Sequence, residues 1–71
     1  MKNRALEIAA MKGYQSIYEI AIEMNCSMDE VAALINKKEC KEETIDKFCA
    51  FFKVTHEYLL CMTEVNNYER L

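Results

Sequence analysis

Two serine–glutamate pairs constrain the fold more than any other feature of this chain. Ser16 stands three positions before Glu19, and Ser27 stands three positions before Glu30. This spacing is typical of a capping box, in which the serine hydroxyl accepts the glutamate amide and the glutamate carboxylate reaches back to the serine amide. Each pair therefore predicts the start of a helix, and the second start follows closely on the first.

Apolar residues recur at helical spacing after both caps. The stripe of the first of these helices comprises Ile17, Ile20, Ala21 and Met24. Asn25 is the expected stop, because asparagine tolerates the left-handed conformation that ends helices. The next helix is expected to run to about Asn36, with inward residues Val31, Leu34 and Ile35.

Similar signals predict three further helices. The first covers residues 4–12 between an Asn3 cap and a Gly13 stop, and its expected buried stripe is Leu6, Ala9 and Ala10. The fourth covers residues 42–52, and its apolar face comprises Ile45, Phe48, Cys49 and Phe52. Thr55 caps a fifth helix that ends near Met62 or Thr63, while residues 37–41 form a polar loop.

The chain is too short for more than one small domain. With 71 residues, one glycine and no proline, it is expected to be an all-α protein with a compact five-helix bundle. Residues 1–63 form the domain, and residues 64–71 form an extension in which Val65, Tyr68 and Leu71 are spaced at three. So small a core leaves little room for a substrate cavity, and no nucleophile–base pair is visible, so an enzyme is not expected.

The thiols and the imidazole do not show a metal-binding spacing. The four cysteines contain no C-x-x-C pair and the chain has one histidine, His56, which is expected at the surface, so neither a metal nor a cofactor is predicted. The cysteines are expected to be reduced, with at least Cys26 and Cys49 in the core. Neither a membrane span nor a signal peptide is visible, which predicts a cytoplasmic protein.

Three stretches carry a resemblance to a known family. They are SIYEIAIEMNCS at 16–27, VAALIN at 31–36 and TIDKFCAFFKVTHEYLL at 44–60. In order and spacing they resemble the lambda-repressor-like (Cro/CI, Xre) DNA-binding domain: a capped helix with an Ile-Ala pair, an Asn-Cys-Ser turn, and a closing Leu pair. The resemblance implies a five-helix lambda-repressor-like bundle containing a helix-turn-helix. It also implies a small cytoplasmic transcription regulator, such as a repressor, of the kind found in phages and mobile elements.

The resemblance also implies which residues meet double-stranded DNA. The helix at about 28–36 would lie in the major groove. The residues expected to read bases are Met28, Asp29, Ala32 and Ala33. The residues expected to hold the DNA backbone are Ser27, Asn36, Lys37, Lys38 and Lys41.

The charge pattern favours a second hypothesis. The net charge is −3, and between positions 26 and 43 three lysines stand against five acidic residues. An aspartate such as Asp29 accepts only from cytosine N4 and is repelled by phosphates. The alternative is therefore a helix-turn-helix repurposed as an inhibitor, antirepressor or adaptor, with a protein partner at the face of Ile17, Met28 and Asp29.

The chain also carries apolar residues for which the predicted core has no place. These are Leu60, Met62 and Val65, in the fifth helix and the tail. They motivate the hypothesis of a homodimer formed through this part of the chain, as expected for a regulator that binds two symmetric half-sites.

Overall fold

The computed structural model describes residues 1–70 and consists of five α-helices with a short 3-10 turn near the end. The helices are α1 (Ala5–Met11), α2 (Ile17–Met24), α3 (Met28–Ile35), α4 (Glu42–Phe52) and α5 (His56–Leu59), followed by the 3-10 turn Tyr68–Arg70. None of these described residues forms a strand, so the all-α expectation is confirmed. Leu71, the last residue of the predicted tail stripe, lies outside the described residues.

A single apolar core joins the helices. Within it α4 packs against α2, α3 and α5, and α3 packs against α1, α2 and α4. Its inward residues Val31 and Leu34 are completely buried, and Phe48 of α4 and Leu59 of α5 are buried to the same extent. The predicted inward faces of α3 and α4 are therefore confirmed.

Local capping signals set the starts of three helices. The hydroxyls of Ser16, Ser27 and Thr55 accept hydrogen bonds from the backbone amides three residues later, at 3.1, 3.2 and 3.1 Å. Asn25 adopts a left-handed conformation with φ of 55° and ends α2 as predicted. Gly13, with φ of 87°, similarly follows the end of α1.

The predicted buried stripe of α1 is correct at Ala9 but wrong at Leu6 and Ala10. Leu6 is 53% exposed and Ala10 is also exposed, whereas the inward face comprises Ala5, Ile8 and Ala9. Those three residues follow the i, i+3, i+4 spacing of a helix face, which places Leu6 about 100° away from Ala5 around the axis. Ile8, which is not part of the predicted stripe, completes the inward face.

The predicted end of the fifth helix is also wrong. α5 ends at Leu59, and Cys61 takes a left-handed conformation with φ of 63°. The amides of Cys61 and Met62 then donate back to the carbonyls of Tyr58 and Glu57, at 3.2 and 2.8 Å. This pattern terminates a helix in the way that a glycine after its C-terminus usually does. Because a cysteine occupies this position, the sequence does not indicate that the helix ends here.

The four cysteines are free thiols. Cys49 is buried in the core, as predicted, and burial raises the pKa of its thiol to about 11. Cys26 is partly buried and packs against the core. Cys49 therefore serves as a small apolar residue and is poorly nucleophilic at neutral pH.

Candidate functional site

The outward side of α3 is accessible to solvent. Met28 is 50% exposed and Asp29 is exposed, while Ala32 and Ala33 are partly exposed. Val31 and Leu34 fill the opposite side of the helix and are fully buried. All four residues predicted to read bases therefore lie on the side of α3 that the rest of the chain leaves uncovered.

The start of α3 is fixed by the short link from α2. Only Asn25, Cys26 and Ser27 separate the two helices. The left-handed Asn25 ends α2, and Cys26 packs against the core next to Thr44, with a sulfur–hydroxyl distance of 3.8 Å. Ser27 is exposed and caps the helix, so its side chain and the first turn of α3 are held in a defined place.

Glu30 does not complete the predicted capping box. Its Oε1 instead accepts hydrogen bonds from the backbone amide of Lys41 and from the hydroxyl of Thr44, both at 2.8 Å. Lys41 is the residue at the start of α4, and Thr44 is a buried residue of its first turn. Glu30 therefore joins α3 to the start of α4, and the expectation that it caps its own helix is wrong.

Because of these hydrogen bonds, the stability of the folded protein at acid pH depends on Glu30. The Lys41 amide first, and the Thr44 hydroxyl second, lower the pKa of the Glu30 carboxyl below its usual value. A lowered pKa means that the folded state favours the ionised carboxylate. The stabilisation is therefore fully present above the pKa of the unfolded chain and is lost as the pH falls through the lowered folded-state value.

We expect Glu30→Gln to have a lower free energy of unfolding than the native chain at neutral pH. The difference between the two proteins should disappear at acid pH. The measurement is urea unfolding of both proteins at a series of pH values from neutral to acid. Glu39→Gln removes the same charge from the exposed loop between α3 and α4 and serves as the control. A constant difference between Glu30→Gln and the native chain at every pH would contradict the assigned hydrogen bonds.

Lys37 is held by its own chain. Its Nζ donates to the carbonyl oxygen of Asn3 at 2.9 Å and lies 3.6 Å from the Glu7 carboxylate. The backbone of Lys37 is left-handed, with φ of 62°, so the helix-ending conformation falls there and not at Asn36. Lys37 therefore connects the end of α3 with the N-terminal segment, a contact that differs from its predicted role at a phosphate.

The other predicted backbone-binding residues have exposed side chains. Asn36, Lys38 and Lys41 are exposed, and neither lysine forms an ion pair within the described part of the chain. Asn36 and Lys38 lie at the C-terminal end of α3, whereas Lys41 lies beside Ser27 and Glu30 at its first turn.

Sequence reasoning missed Lys47. This α4 residue donates from Nζ to the carbonyl of Asn25 at 3.1 Å and lies 3.6 Å from Glu43. It thus brings a cation next to the α2–α3 link, where it shares a shallow surface hollow with Ser27 and Lys41. The four-residue spacing from Glu43 is the only sequence signal for Lys47, and it predicts an ion pair within α4 without indicating the link.

The face suggested for a protein partner is only partly available. Ile17 is partly buried and packs against the core, and it lines a groove with Leu6 and Ile35. Met28 and Asp29 are the exposed members of the predicted set. Two other apolar side chains, Tyr18 and Ile22 on α2, are 59% and 58% exposed.

Comparisons with protein-family models, with curated proteins and with solved structures find no match for this chain. Within the part that the structure describes, none of the helices is long and apolar enough to cross a membrane.

Proposed function

We propose that this chain is a small DNA-binding transcription regulator of the Cro/CI type, in which α2 and α3 form a helix-turn-helix and α3 enters the major groove. The observation that supports this most strongly is the uncovered outward side of α3, which follows a three-residue link from α2. In proteins of this class the second helix of the motif presents its N-terminal residues to base edges while the first crosses the backbone.

The small side chains of α3 suit this role. Ala32 and Ala33 add little bulk to the outward side, so the helix can approach the floor of the groove and contact thymine methyl groups. Met28, at the first turn, adds an apolar contact. Base contacts of this kind are short-ranged and depend on the donors around the helix to hold it in register.

Those donors are Ser27, Asn36, Lys38 and Lys41. Lys37 and Lys47 are left out of the set because their amines already donate to the carbonyls of Asn3 and Asn25. Hydroxyl, amide and ammonium groups all donate to phosphate oxygens, and such contacts fix orientation without reading sequence. The set is small, so a moderate non-specific affinity follows.

Asp29 decides how strongly the proposed surface binds. It is exposed at the first turn of α3, where a phosphate backbone or a cytosine amino group would meet it. Two unit charges a few ångströms apart in water interact with about 1 kcal/mol, so Asp29 weakens binding to most sequences. We infer that it restricts binding to sites that present a cytosine amino group at this position.

The test is the salt dependence of binding to mixed-sequence duplex DNA, measured by fluorescence anisotropy. For phosphate contacts by Lys38 and Lys41 we expect the logarithm of the binding constant to fall with the logarithm of salt with a slope of about −2. Asp29→Asn should raise the affinity by about three- to fivefold, in line with the Coulomb estimate. The control Glu57→Gln removes the same charge from α5 and should leave the affinity almost unchanged.

The exposed apolar residues support a second candidate function, a protein-binding module such as an inhibitor, antirepressor or adaptor. Met28 on α3, with Tyr18 and Ile22 on α2, exposes more apolar surface than contact with phosphates requires. Lack of any DNA binding by the folded protein at about 50 mM salt would contradict the first proposal and favour this one. If Asp29→Asn leaves the affinity for DNA unchanged, α3 is not part of the DNA-binding surface.

We also propose that the regulator binds as a symmetric dimer through the segment after α5. Met62 is 73% exposed and Val65 is 54% exposed, whereas Leu60 is partly buried against the core. Sedimentation equilibrium over a range of concentrations should show a dimer, and Met62→Ser should weaken it. A monomer at every concentration would contradict this part of the proposal.

A further inference from the structure

The corner between α4 and α5 brings together three side chains that the sequence keeps apart. Nε2 of His56 lies 2.6 Å from Oδ1 of Asp46. One ligand atom from each of Glu42, Asp46 and His56 lies within 4.8 Å of the other two. This nitrogen and these oxygens form a mixed donor set at the edge of the core face of α4, next to α5.

Two local features position the set. Glu42 and Asp46 are four residues apart on α4, so their side chains project from the same face of the helix. Thr55 caps α5, which fixes His56 as the first residue of that helix, facing α4. The histidine and aspartate side chains are 46% and 59% exposed, so a solvated ion has free access to them.

Within the described part of the chain, no lysine or arginine balances the two carboxylates of the set, since neither Glu42 nor Asp46 forms an ion pair with one. Lys47, the lysine next to Asp46 in sequence, is directed to Glu43 and to the carbonyl of Asn25. Two carboxylates held this close repel one another unless a cation joins them.

We propose that Glu42, Asp46 and His56 form a binding site for a divalent transition-metal ion, with Zn²⁺ as the favoured ion. Imidazole nitrogen and carboxylate oxygen both bind Zn²⁺ at roughly 2.0–2.2 Å, and a three-ligand site leaves one position for water. Coordination through Nε2 replaces its hydrogen bond to Asp46. Small side-chain rotations bring the three donors to the separations of a tetrahedral site, and the ion then connects α4 to α5.

The single histidine makes the proposal directly testable. Zn²⁺ is titrated into the full ¹⁵N-labelled chain under a non-thiol reductant, and the imidazole nitrogen resonances of His56 are followed. We expect saturation at one ion per chain, a large shift of the Nε2 resonance, and a higher midpoint of thermal unfolding that EDTA reverses. Glu42→Gln, Asp46→Asn and His56→Gln should each weaken the apparent affinity at least about tenfold.

Two comparisons separate this site from other places where the ion could bind. Glu57→Gln, which changes the neighbour of His56, should retain the affinity within about twofold. Co²⁺ should give a weak visible spectrum without a sulfur-to-metal charge-transfer band, because no cysteine takes part. A charge-transfer band, an unchanged His56 resonance, or binding that survives Glu42→Gln and Asp46→Asn would overturn the proposal.

Discussion

Replacing Phe48 with alanine is expected to lower the free energy of unfolding by about 3–5 kcal/mol. The Phe48 ring is completely buried and packs against the ring of Phe52, with 4.4 Å between their centroids. A domain of 71 residues has a total stability of roughly 4–10 kcal/mol. The variant should therefore be close to unfolding at room temperature.

Phe51→Ala provides the matched control for this prediction. Phe51 lies on the same helix and also contacts Phe52, in an edge-to-face arrangement with 4.9 Å between centroids, but it is 37% exposed. Its truncation leaves a gap that water can fill, so we expect a loss of less than about 2 kcal/mol. Urea unfolding followed by circular dichroism measures both. Equal losses would contradict the assignment of Phe48 to the centre of the core.

Replacing Asn3 with alanine is expected to cost about 1–3 kcal/mol, the range for leaving a buried hydrogen-bonding group without its partner. Asn3 is 2% exposed. Its Nδ2 donates to the carbonyl of Leu34 at 3.1 Å, and its Oδ1 accepts from the amide of Ala5 at 2.9 Å. One side-chain amide thus provides the hydrogen-bond partner of a carbonyl in the last turn of α3 and of a backbone amide in the first turn of α1.

Asn36→Ala removes the same amide from an exposed position at the end of α3. We expect it to change the free energy of unfolding by no more than about 0.5 kcal/mol, as is usual at the surface. The comparison uses thermal and urea unfolding of the two variants. A larger loss for Asn36→Ala than for Asn3→Ala would show that the Asn3 contacts do not stabilise the join between α1 and α3.

The parts of the fold that sequence predicts well are those set by neighbouring residues. Ser16, Ser27 and Thr55 each place an oxygen within reach of an amide three residues later, so the cap is formed by the segment itself. The bounds of α4 agree with the predicted range 42–52, because its apolar spacing and its flanking polar loop are both clear. In these cases the residues of the segment itself are enough to determine where the helix begins or ends.

The parts that sequence predicts poorly depend on distant partners. Glu30 could accept from its own helix cap or from α4, and only the tertiary packing brings the Lys41 amide and the Thr44 hydroxyl to it. For Glu30 the competing local and long-range hydrogen bonds are similar in strength, so packing decides between them. The end of α5 is a different case, because cysteine has no preference for the left-handed conformation that Cys61 adopts.

The candidate site shows the same division. The 3.6-residue period of α3 predicts which side of the helix faces outward, and Met28, Asp29, Ala32 and Ala33 lie there. The period does not predict that Lys37 is bound to Asn3 or that Lys47 reaches the link. The outward side follows from the sequence, but the set of cations around it does not.

The central claim is that the outward side of α3 is the surface that meets DNA, and amide chemical-shift mapping tests it most directly. Mixed-sequence duplex DNA is added at low salt to the ¹⁵N-labelled chain. We expect the shifts to concentrate at residues 27–38 and at Lys41 and to disappear as salt is raised. Shifts concentrated on α1 or α5, or no shifts from a folded protein at low salt, would contradict the claim.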